Sequence, residues 1–229
     1  MNILKSLTEM LLPRYCKVCG RRLTIGEEHL CITCLLSMPL FKNYKGGMNR
    51  PEELLISSHT LVRAESMLVY DKESNYRKIL YHLKYYGHPD VATYLSAVAA
   101  SRLKNDGFFD GVDLIIPVPL SRKKFRKRGY NQCSYIAKGI NKITGIEIVE
   151  NAVVRTVANT QQAGKGKYQR WGNADGIFMV AKPEMLENRH LLVVDDVMTT
   201  GSTLSSILEI IEKTVPSVKL SVFTLALAQ

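Results

Sequence analysis

One stretch of the sequence, LLVVDDVMTTGST at residues 191–203, restricts the possible folds of this chain more than any other. Residues 191–194 are four consecutive apolar residues, which predicts a strand buried on both faces, as in a parallel sheet. A helical pattern begins directly afterwards, with apolar residues at Leu204, Ile207, Leu208 and Ile211. The loop between them is therefore expected at the carboxyl end of a parallel strand and the amino end of a helix.

The residues of this loop suit a phosphorylated sugar. Unpaired N–H groups and the dipole of a helix amino end attract anions, and small hydroxyl residues with a glycine add donors and let the backbone approach closely. Carboxylates accept hydrogen bonds from a diol or hold Mg²⁺ through water. The combination describes ribose 5-phosphate, although a strand end followed by an Asp–Asp turn and a threonine N-cap would use the same residues. The residues concerned are Asp195, Asp196, Thr199, Thr200, Gly201, Ser202 and Thr203.

A second unit of the same kind covers residues 112–143. Residues 112–118 predict a buried strand that Pro117 and Pro119 terminate, and a helix is expected from about residue 131 to residue 143. Between them, residues 121–129 predict a strongly basic loop that includes Arg122, Arg126 and Arg128. Loops of a doubly wound sheet meet at one edge, so this loop would contact a pyrophosphate or, equally, the phosphates of a nucleic acid.

Four cysteines near the start form two CxxC pairs, and eleven residues separate the pairs. Two such pairs favour a tetrahedral, structural Zn²⁺ site, and the segment is small enough to need the metal for folding. Disulfides and a redox pair are the alternatives, but no export signal accompanies the cysteines. We predict a short helix and zinc-finger-like module over residues 1–50 and a second domain over 51–229. The four ligands would be Cys16, Cys19, Cys31 and Cys34.

The remaining helices and strands are predicted from the periodicity of apolar residues and from the residues that end helices and strands. Strands are expected at 60–70, 146–154 and 218–227, and helices at 74–86 and from a cap at Asp90. Residues 155–178 form a long polar segment with few apolar residues, which predicts a lid over pyrophosphate or a disordered loop.

The net charge of +10 indicates phosphate-rich ligands, nucleic acid or anionic surfaces, without choosing among them. No apolar run is long enough to span a bilayer. Residues 1–12 predict a short amphipathic helix that docks on its own domain. A signal peptide is not expected, because an acid interrupts the apolar face and no small-residue cleavage site follows.

With these pieces in place, the chain resembles the ComF family, a phosphoribosyltransferase-like group with an amino-terminal zinc module. The resemblance extends over nearly the whole length. It implies a type I phosphoribosyltransferase fold, which is an α/β fold with a twisted, mainly parallel sheet and helices on both faces. The motifs that carry it are the cysteine quartet, HLKYYG (82–87), PVPLSRKKFRKRGYNQ (117–132), the series Arg155–Thr160–Gln161–Arg170–Asn173, and VVDDVMTTGST.

The resemblance also implies a ligand, phosphoribosyl pyrophosphate (PRPP), together with Mg²⁺. In that family the paired acids contact the ribose hydroxyls and the TTGST-like loop holds the 5-phosphate. Those roles fall here on Asp195 and Asp196 and on Thr199 through Thr203. Arg122, Arg126 and Arg128 would meet pyrophosphate, and Gln161 and Arg170 would belong to the lid.

The resemblance further implies a cytoplasmic bacterial protein tied to natural competence, where incoming single-stranded DNA is handled. We expect a PRPP-binding protein that, as an enzyme, would transfer a phosphoribosyl group and release pyrophosphate. No base-binding hood is recognisable, so the acceptor stays open. The alternative is a non-catalytic accessory protein that binds single-stranded DNA, and a third hypothesis is a scaffold that docks a competence helicase or channel protein.

Overall fold

A five-stranded parallel sheet is the centre of the fold. The computed structural model describes residues 13–42, 47–71, 73–156 and 177–228. In these residues the strands are β1 (Leu61–Tyr70), β2 (Leu114–Pro117), β3 (Glu147–Ile148), β4 (Val153–Arg155), β5 (Phe178–Val180), β6 (His190–Met198) and β7 (Lys219–Ala228). The main sheet has the order β1–β7–β6–β2–β3, with every neighbouring pair parallel, and β4 and β5 form a separate antiparallel pair.

Helices cover both faces of this sheet. Alternate residues of β6 face opposite sides: Leu191 and Val193 join one apolar cluster, and Leu192 and Val194 join the other. Because both sides of the strand are buried, its sequence is a continuous apolar run. The helices of the described residues are α1 (Ile32–Leu36), α2 (Arg50–Leu54), α3 (Arg77–Tyr85), α4 (Asp90–Asn105), α5 (Arg122–Arg128), α6 (Gln132–Thr144) and α7 (Ser202–Thr214).

The predicted fold class, a mainly parallel α/β sheet with helices on both faces, is confirmed. The central apolar runs become β2, β6 and β7; β7 lies close to the expected bounds, β6 extends four residues beyond its expected end, and β1 begins one residue later than predicted. The helix expected from about residue 131 is α6. The helix expected at 74–86 is shorter, and Asp90 is the first residue of α4 rather than its cap.

Two local predictions are wrong. The strand expected at 146–154 is two short strands in different sheets, because Asn151 adopts a φ of +63° and turns the chain between them. The loop expected at 121–129 is the helix α5, which the Ser121 side chain caps by accepting a hydrogen bond from Lys124 N at 3.3 Å. Gly129 ends this helix with a φ of +82°. Its straight-chain lysines and arginines are good helix formers.

Some predicted features lie outside the described residues, namely the amphipathic helix at 1–12 and the lid residues Gln161 and Arg170. Among the described residues, no helix combines the length and the apolar character needed to cross a bilayer. The domain boundary after residue 50 stays a prediction.

Candidate functional site

A cleft of about 820 Å³ opens at the carboxyl edge of the main sheet. Its floor includes the last residues of β6, and its walls come from α3, from α5 and from the segment that follows β2. Arg155 at the end of β4 and Thr203 in the first turn of α7 complete the lining. Ligands of open α/β sheets bind in this position, outside the carboxyl ends of the strands.

The two acids lie within β6 rather than in a loop after it. The predicted strand ended at Val194, whereas the observed strand continues to Met198 and pairs Asp195 with Thr224 of β7. Asp195 and Asp196 are 8% and 5% exposed, and both line the cleft. The acids are therefore held by the sheet, which leaves their carboxylates less freedom than a loop would.

Asp195 has a fixed set of hydrogen-bond donors. Its Oδ1 accepts from the backbone N–H of Asp196 at 2.8 Å and from the thiol of Cys133 at 3.3 Å. Burial, and after it the charge of Asp196, raise the pKa of Asp195 to about 7, against the opposing effects of the two hydrogen bonds and of Lys84. Near neutral pH this group can therefore gain or lose a proton.

Cys133 lies beneath the cleft as a donor to Asp195. It is 1% exposed, and burial together with the two acids raises the pKa of its thiol well above the ordinary value. The group therefore stays a neutral thiol that can donate to a carboxylate.

Asp196 faces a cation on another element. Its Oδ2 lies 3.1 Å from Nζ of Lys84 on α3, and the contact is an ion pair without the angular geometry of a hydrogen bond. This oxygen is buried, and none of the residues that the structure describes donates a hydrogen bond to it. Carboxylate oxygens of this kind are the ligands that Mg²⁺ prefers, so the donor set fits that ion.

The loop between β6 and α7 adjoins the acids. Thr199 and Thr203 line the cleft, whereas Thr200 and Gly201 lie in the turn beside it and Ser202 is the first residue of α7. Gly201 is the N-cap residue, with a φ of +77°, and no side chain caps the helix. A Cβ atom at Gly201 would lie 3.1 Å from the carbonyl oxygen of Leu54 in α2, so both the conformation and the space require glycine. A threonine N-cap, the alternative explanation of this sequence, is not what the structure contains.

One face of the basic helix α5 borders the cleft. Lys124, Lys127 and Arg128 line it, and their spacing of three and four residues places them on one side of a helix. Arg122 and Arg126 are not among the lining residues. The sequence predicted a loop here, and a loop offers no periodicity from which the cleft-facing cations could be chosen.

Helix α3 supplies three cleft residues for which the sequence pattern indicated no role, Tyr81 and, within the HLKYYG motif, Lys84 and Tyr85. Their spacing of three and four residues was visible, but tyrosine and lysine at that spacing are also typical of a half-exposed helix face. Tyr130, which follows α5, also lines the cleft and donates a hydrogen bond to the carbonyl oxygen of Leu83 at 2.7 Å. Only the tertiary structure brings this helix to the acids of β6.

The four predicted cysteines come together. Their sulfur atoms all lie within 4.8 Å of one another, and those of Cys19 and Cys31 are 3.8 Å apart. Zn–S bonds of about 2.3 Å in a tetrahedron place sulfur atoms about 3.8 Å apart, so the spacing fits such a metal. The cysteines form no disulfide. The group can therefore hold a metal such as zinc.

The cysteine cluster rests on the cleft-lining helix α3. Tyr76 donates a hydrogen bond through its hydroxyl to the carbonyl oxygen of Cys34 at 2.7 Å, and Lys78 Nζ donates to that of Val18 at 3.1 Å. Cys34 and Leu83 of α3 belong to one continuous apolar cluster. Helix α3 thus lies between the cysteine cluster and the cleft.

Comparison with known proteins finds a matching family model and several relatives. Residues 142–228 match the family model described as "Phosphoribosyl transferase domain". DNA utilization protein YhgH of Escherichia coli strain K12 is 24% identical over 211 residues, covering 88% of this chain and 92% of that protein. Competence protein F of Haemophilus influenzae is 33% identical over 102 residues, covering 44% of each chain.

Among solved structures, adenine phosphoribosyltransferase from Saccharomyces cerevisiae aligns with a TM-score of 0.34 and 17% identity, covering 58% of this chain and 66% of that one. Residues 142–228 are thus similar to the phosphoribosyl transferase domain family, and the resemblance of the chain to the ComF family is confirmed by these relatives.

Proposed function

We propose that the cleft binds PRPP and that the protein is a PRPP-binding, phosphoribosyltransferase-like protein. One observation carries the proposal: Asp195, Asp196, Thr199, Thr203 and the cationic face of α5 line a single cleft at the carboxyl edge of the sheet. A diol, a phosphate monoester and a pyrophosphate each find a matching group there. The domain match over residues 142–228 supports the same ligand.

The proposed roles follow from the chemistry of each group. Residues 199–203 hold the 5-phosphate with hydroxyls and the N–H groups of the first turn of α7, where the helix dipole favours an anion. Asp195 and Asp196 accept hydrogen bonds from the two ribose hydroxyls. Lys124, Lys127 and Arg128 face the pyrophosphate, and charge-assisted hydrogen bonds to its oxygens are the strong kind.

Mg²⁺ would be held by the carboxylates of Asp195 and Asp196, and it would neutralise charge on the pyrophosphate. In an enzyme, the chain's own contribution would be to hold the C1 carbon of the ribose in line with an acceptor and to stabilise the departing pyrophosphate with the α5 cations. Transfer to an acceptor is the second part of the proposal, and release of pyrophosphate is its readout.

The test of binding is calorimetric titration of the full chain with PRPP and Mg²⁺, repeated with ribose 5-phosphate and with pyrophosphate alone. We expect saturable binding of PRPP and its loss in the Asp195→Asn/Asp196→Asn double variant. Wild-type protein that binds no PRPP at millimolar ligand would refute the proposal. Binding that survives in the double variant would refute the site while leaving the ligand in place.

A second candidate function is binding of single-stranded DNA. The observation that favours it is the other side of α5, where Arg122, Lys123 and Arg126 are exposed beside Phe125, itself 50% exposed. Cations that track phosphates beside an aromatic ring that stacks on bases are typical of sequence-tolerant binding. The names of the relatives, a DNA utilization protein and a competence protein, are consistent with this candidate.

Matched charge removals on α5 separate the two functions. Lys124→Ala/Lys127→Ala removes two charges from the cleft face, and Arg122→Ala/Arg126→Ala removes two from the other face. We expect the first pair to weaken PRPP binding about tenfold and the second to weaken binding of a single-stranded oligonucleotide by a similar factor, since one phosphate contact contributes about a factor of a few at moderate salt. Equal effects of both pairs on both ligands would show that charge alone governs binding and that the faces have no separate roles.

We further propose that the cysteine cluster binds a structural Zn²⁺, because four thiolates fill a tetrahedral site and leave no open position. Metal analysis of the purified full chain tests this, with about one zinc per chain expected and Cys31→Ser/Cys34→Ser as the zinc-free control. The cytoplasmic location and a competence helicase or channel partner stay predictions from the family resemblance.

A further inference from the structure

Lys84 has a place in the cleft that neither the sequence motifs nor the comparisons assign. It lies near the end of α3, its side chain is 26% exposed, and its Nζ is 3.1 Å from Oδ2 of Asp196. Within the described residues, Lys84 is the ion-pair partner of Asp196. The carboxylate is buried, so this ammonium supplies a counter-charge that solvent does not.

The charge of Lys84 acts on three side chains, Asp195, Asp196 and Cys133. Besides its contact with Asp196, it lowers the pKa of Asp195 and that of the Cys133 thiol, against the opposite effect of burial. Two buried acids therefore share one ammonium group. A cation held beside these acids in the cleft opposes the entry of a second cation.

The backbone around Lys84 is firmly held. Leu80 and Leu83 on the neighbouring face of α3 are 7% and 0% exposed, and the carbonyl oxygen of Leu83 accepts the hydroxyl hydrogen bond of Tyr130. The far end of the helix is tied to the cysteine cluster through Tyr76 and Lys78. Contacts at both ends of α3 thus hold the backbone of Lys84 beside the cleft, and the ion pair with Asp196 holds its ammonium group.

We propose that Lys84 is a positioning residue of the cleft, whose ammonium group occupies the cation position beside Asp196 and keeps a divalent cation away until a pyrophosphate ligand enters. When a pyrophosphate enters, its oxygens form the ion pair with the ammonium group in place of Asp196. Oδ2 of Asp196 is then free to bind the ion that accompanies the ligand. Divalent cation and ligand then bind together rather than in sequence. The inference rests on the proposed PRPP site for its ligand, whereas its claim about the cation stands on the ion pair.

The experiment measures binding of Mn²⁺ alone to the zinc-loaded full chain, by electron paramagnetic resonance of the free ion. Mn²⁺ prefers oxygen ligands, so it reports on the acids rather than on the cysteine cluster. We compare wild type with Lys84→Met, with Lys84→Arg, with Lys84→Met/Asp196→Asn, and with Lys142→Met as a matched loss of charge at an exposed position of α6.

Lys84→Met should bind Mn²⁺ at least about tenfold more tightly than wild type, because it removes a positive charge that repels the ion, and a cation at this distance changes the proton affinity of a carboxylate by about ten- to a thousandfold. Lys84→Arg and Lys142→Met should match wild type, and Asp196→Asn should cancel the gain. An unchanged affinity in Lys84→Met, or an equal gain in Lys84→Arg, would overturn the inference. Lys84→Gln is the second variant if Lys84→Met does not fold, judged by thermal unfolding.

PRPP titration of the same proteins in excess Mg²⁺ reports on the proposed function separately. Wild-type protein that fails to bind PRPP refutes that function, whatever Mn²⁺ does. Wild-type protein that binds PRPP, combined with no change of Mn²⁺ affinity in Lys84→Met, refutes only the role of Lys84.

Discussion

The cysteine cluster and the cleft are built in different ways. The four cysteines lie within nineteen consecutive residues, 16–34, and their two turns bring the sulfur atoms together locally. The cleft takes its lining from positions between Tyr70 and Thr203, on strands and helices that meet only when the sheet is complete. A local site is visible as spacing in the sequence, whereas a site made from distant elements is visible only in part.

The two regions nevertheless share helix α3. One face of that helix contacts the cysteine cluster, and another carries Tyr81, Lys84 and Tyr85 into the cleft. The local site therefore supports the distant one. The three predictions below test this dependence and then the cleft itself, in order of decreasing effect.

Loss of the metal should have the largest effect. Apparent binding energies for structural zinc are about 10–16 kcal/mol in small zinc peptides, so the segment around the cysteines should unfold without it. Because Cys34 and α3 share an apolar cluster, we expect chelated protein or Cys31→Ser/Cys34→Ser to melt at lower temperature and to lose most PRPP affinity. Thermal unfolding and calorimetry measure both, and unchanged PRPP affinity in metal-free protein would show that the two regions are independent.

The pH dependence of stability should come next. Burial raises the pKa of Asp195 from 3.8 to about 7, so between these values the folded state binds more protons than the unfolded state. The contribution of this group to the free energy of unfolding therefore falls as pH rises from about 4 to 7, by about 1.4 kcal/mol per pH unit. Chemical denaturation across this range measures the slope, and Asp195→Asn should flatten it. An equal slope in that variant would assign the dependence to other groups.

Substitution of Gly201 should have the smallest of the three effects. Alanine there must adopt a φ of +77° and place its Cβ 3.1 Å from the carbonyl oxygen of Leu54. We expect Gly201→Ala to lower the free energy of unfolding by about 1–3 kcal/mol. Gly47→Ala is the matched control, because nothing lies within 4 Å of a Cβ at Gly47 and its φ is not in the left-handed region. An unchanged free energy of unfolding in Gly201→Ala would mean that α2 and this loop move to make room for the Cβ atom without strain.

The basic helix α5 shows why part of the site was beyond prediction from the sequence. The sequence predicted that this basic segment contacts pyrophosphate through Arg122, Arg126 and Arg128. Of these three arginines only Arg128 lines the cleft, beside Lys124 and Lys127. The choice among cations depends on which face of the helix turns inward. Ser121 and Gly129 set where the helix begins and ends, whereas its orientation depends on how the helix packs in the folded chain.

The sequence pattern around Lys84 does not indicate that this residue pairs with an acid of the cleft. Its neighbours in sequence are tyrosines and apolar residues, and nothing in that pattern names Asp196 as a partner more than one hundred positions away. The ion pair exists because α3 packs beside the carboxyl end of β6. Sequence periodicity predicts which faces of a helix are buried, but the identity of the facing element is a property of the packing.

The sequence by itself determined the parallel sheet, the grouping of the four cysteines in one cluster and the place of the paired acids near the carboxyl edge of the sheet, because apolar periodicity and short spacings express local physical constraints. The tertiary structure decided which cations face the cleft, that Lys84 neutralises Asp196, and that the cysteine cluster supports the helix carrying Lys84. Those features depend on contacts between residues far apart in the chain, and such contacts arise only when the elements pack around a common core.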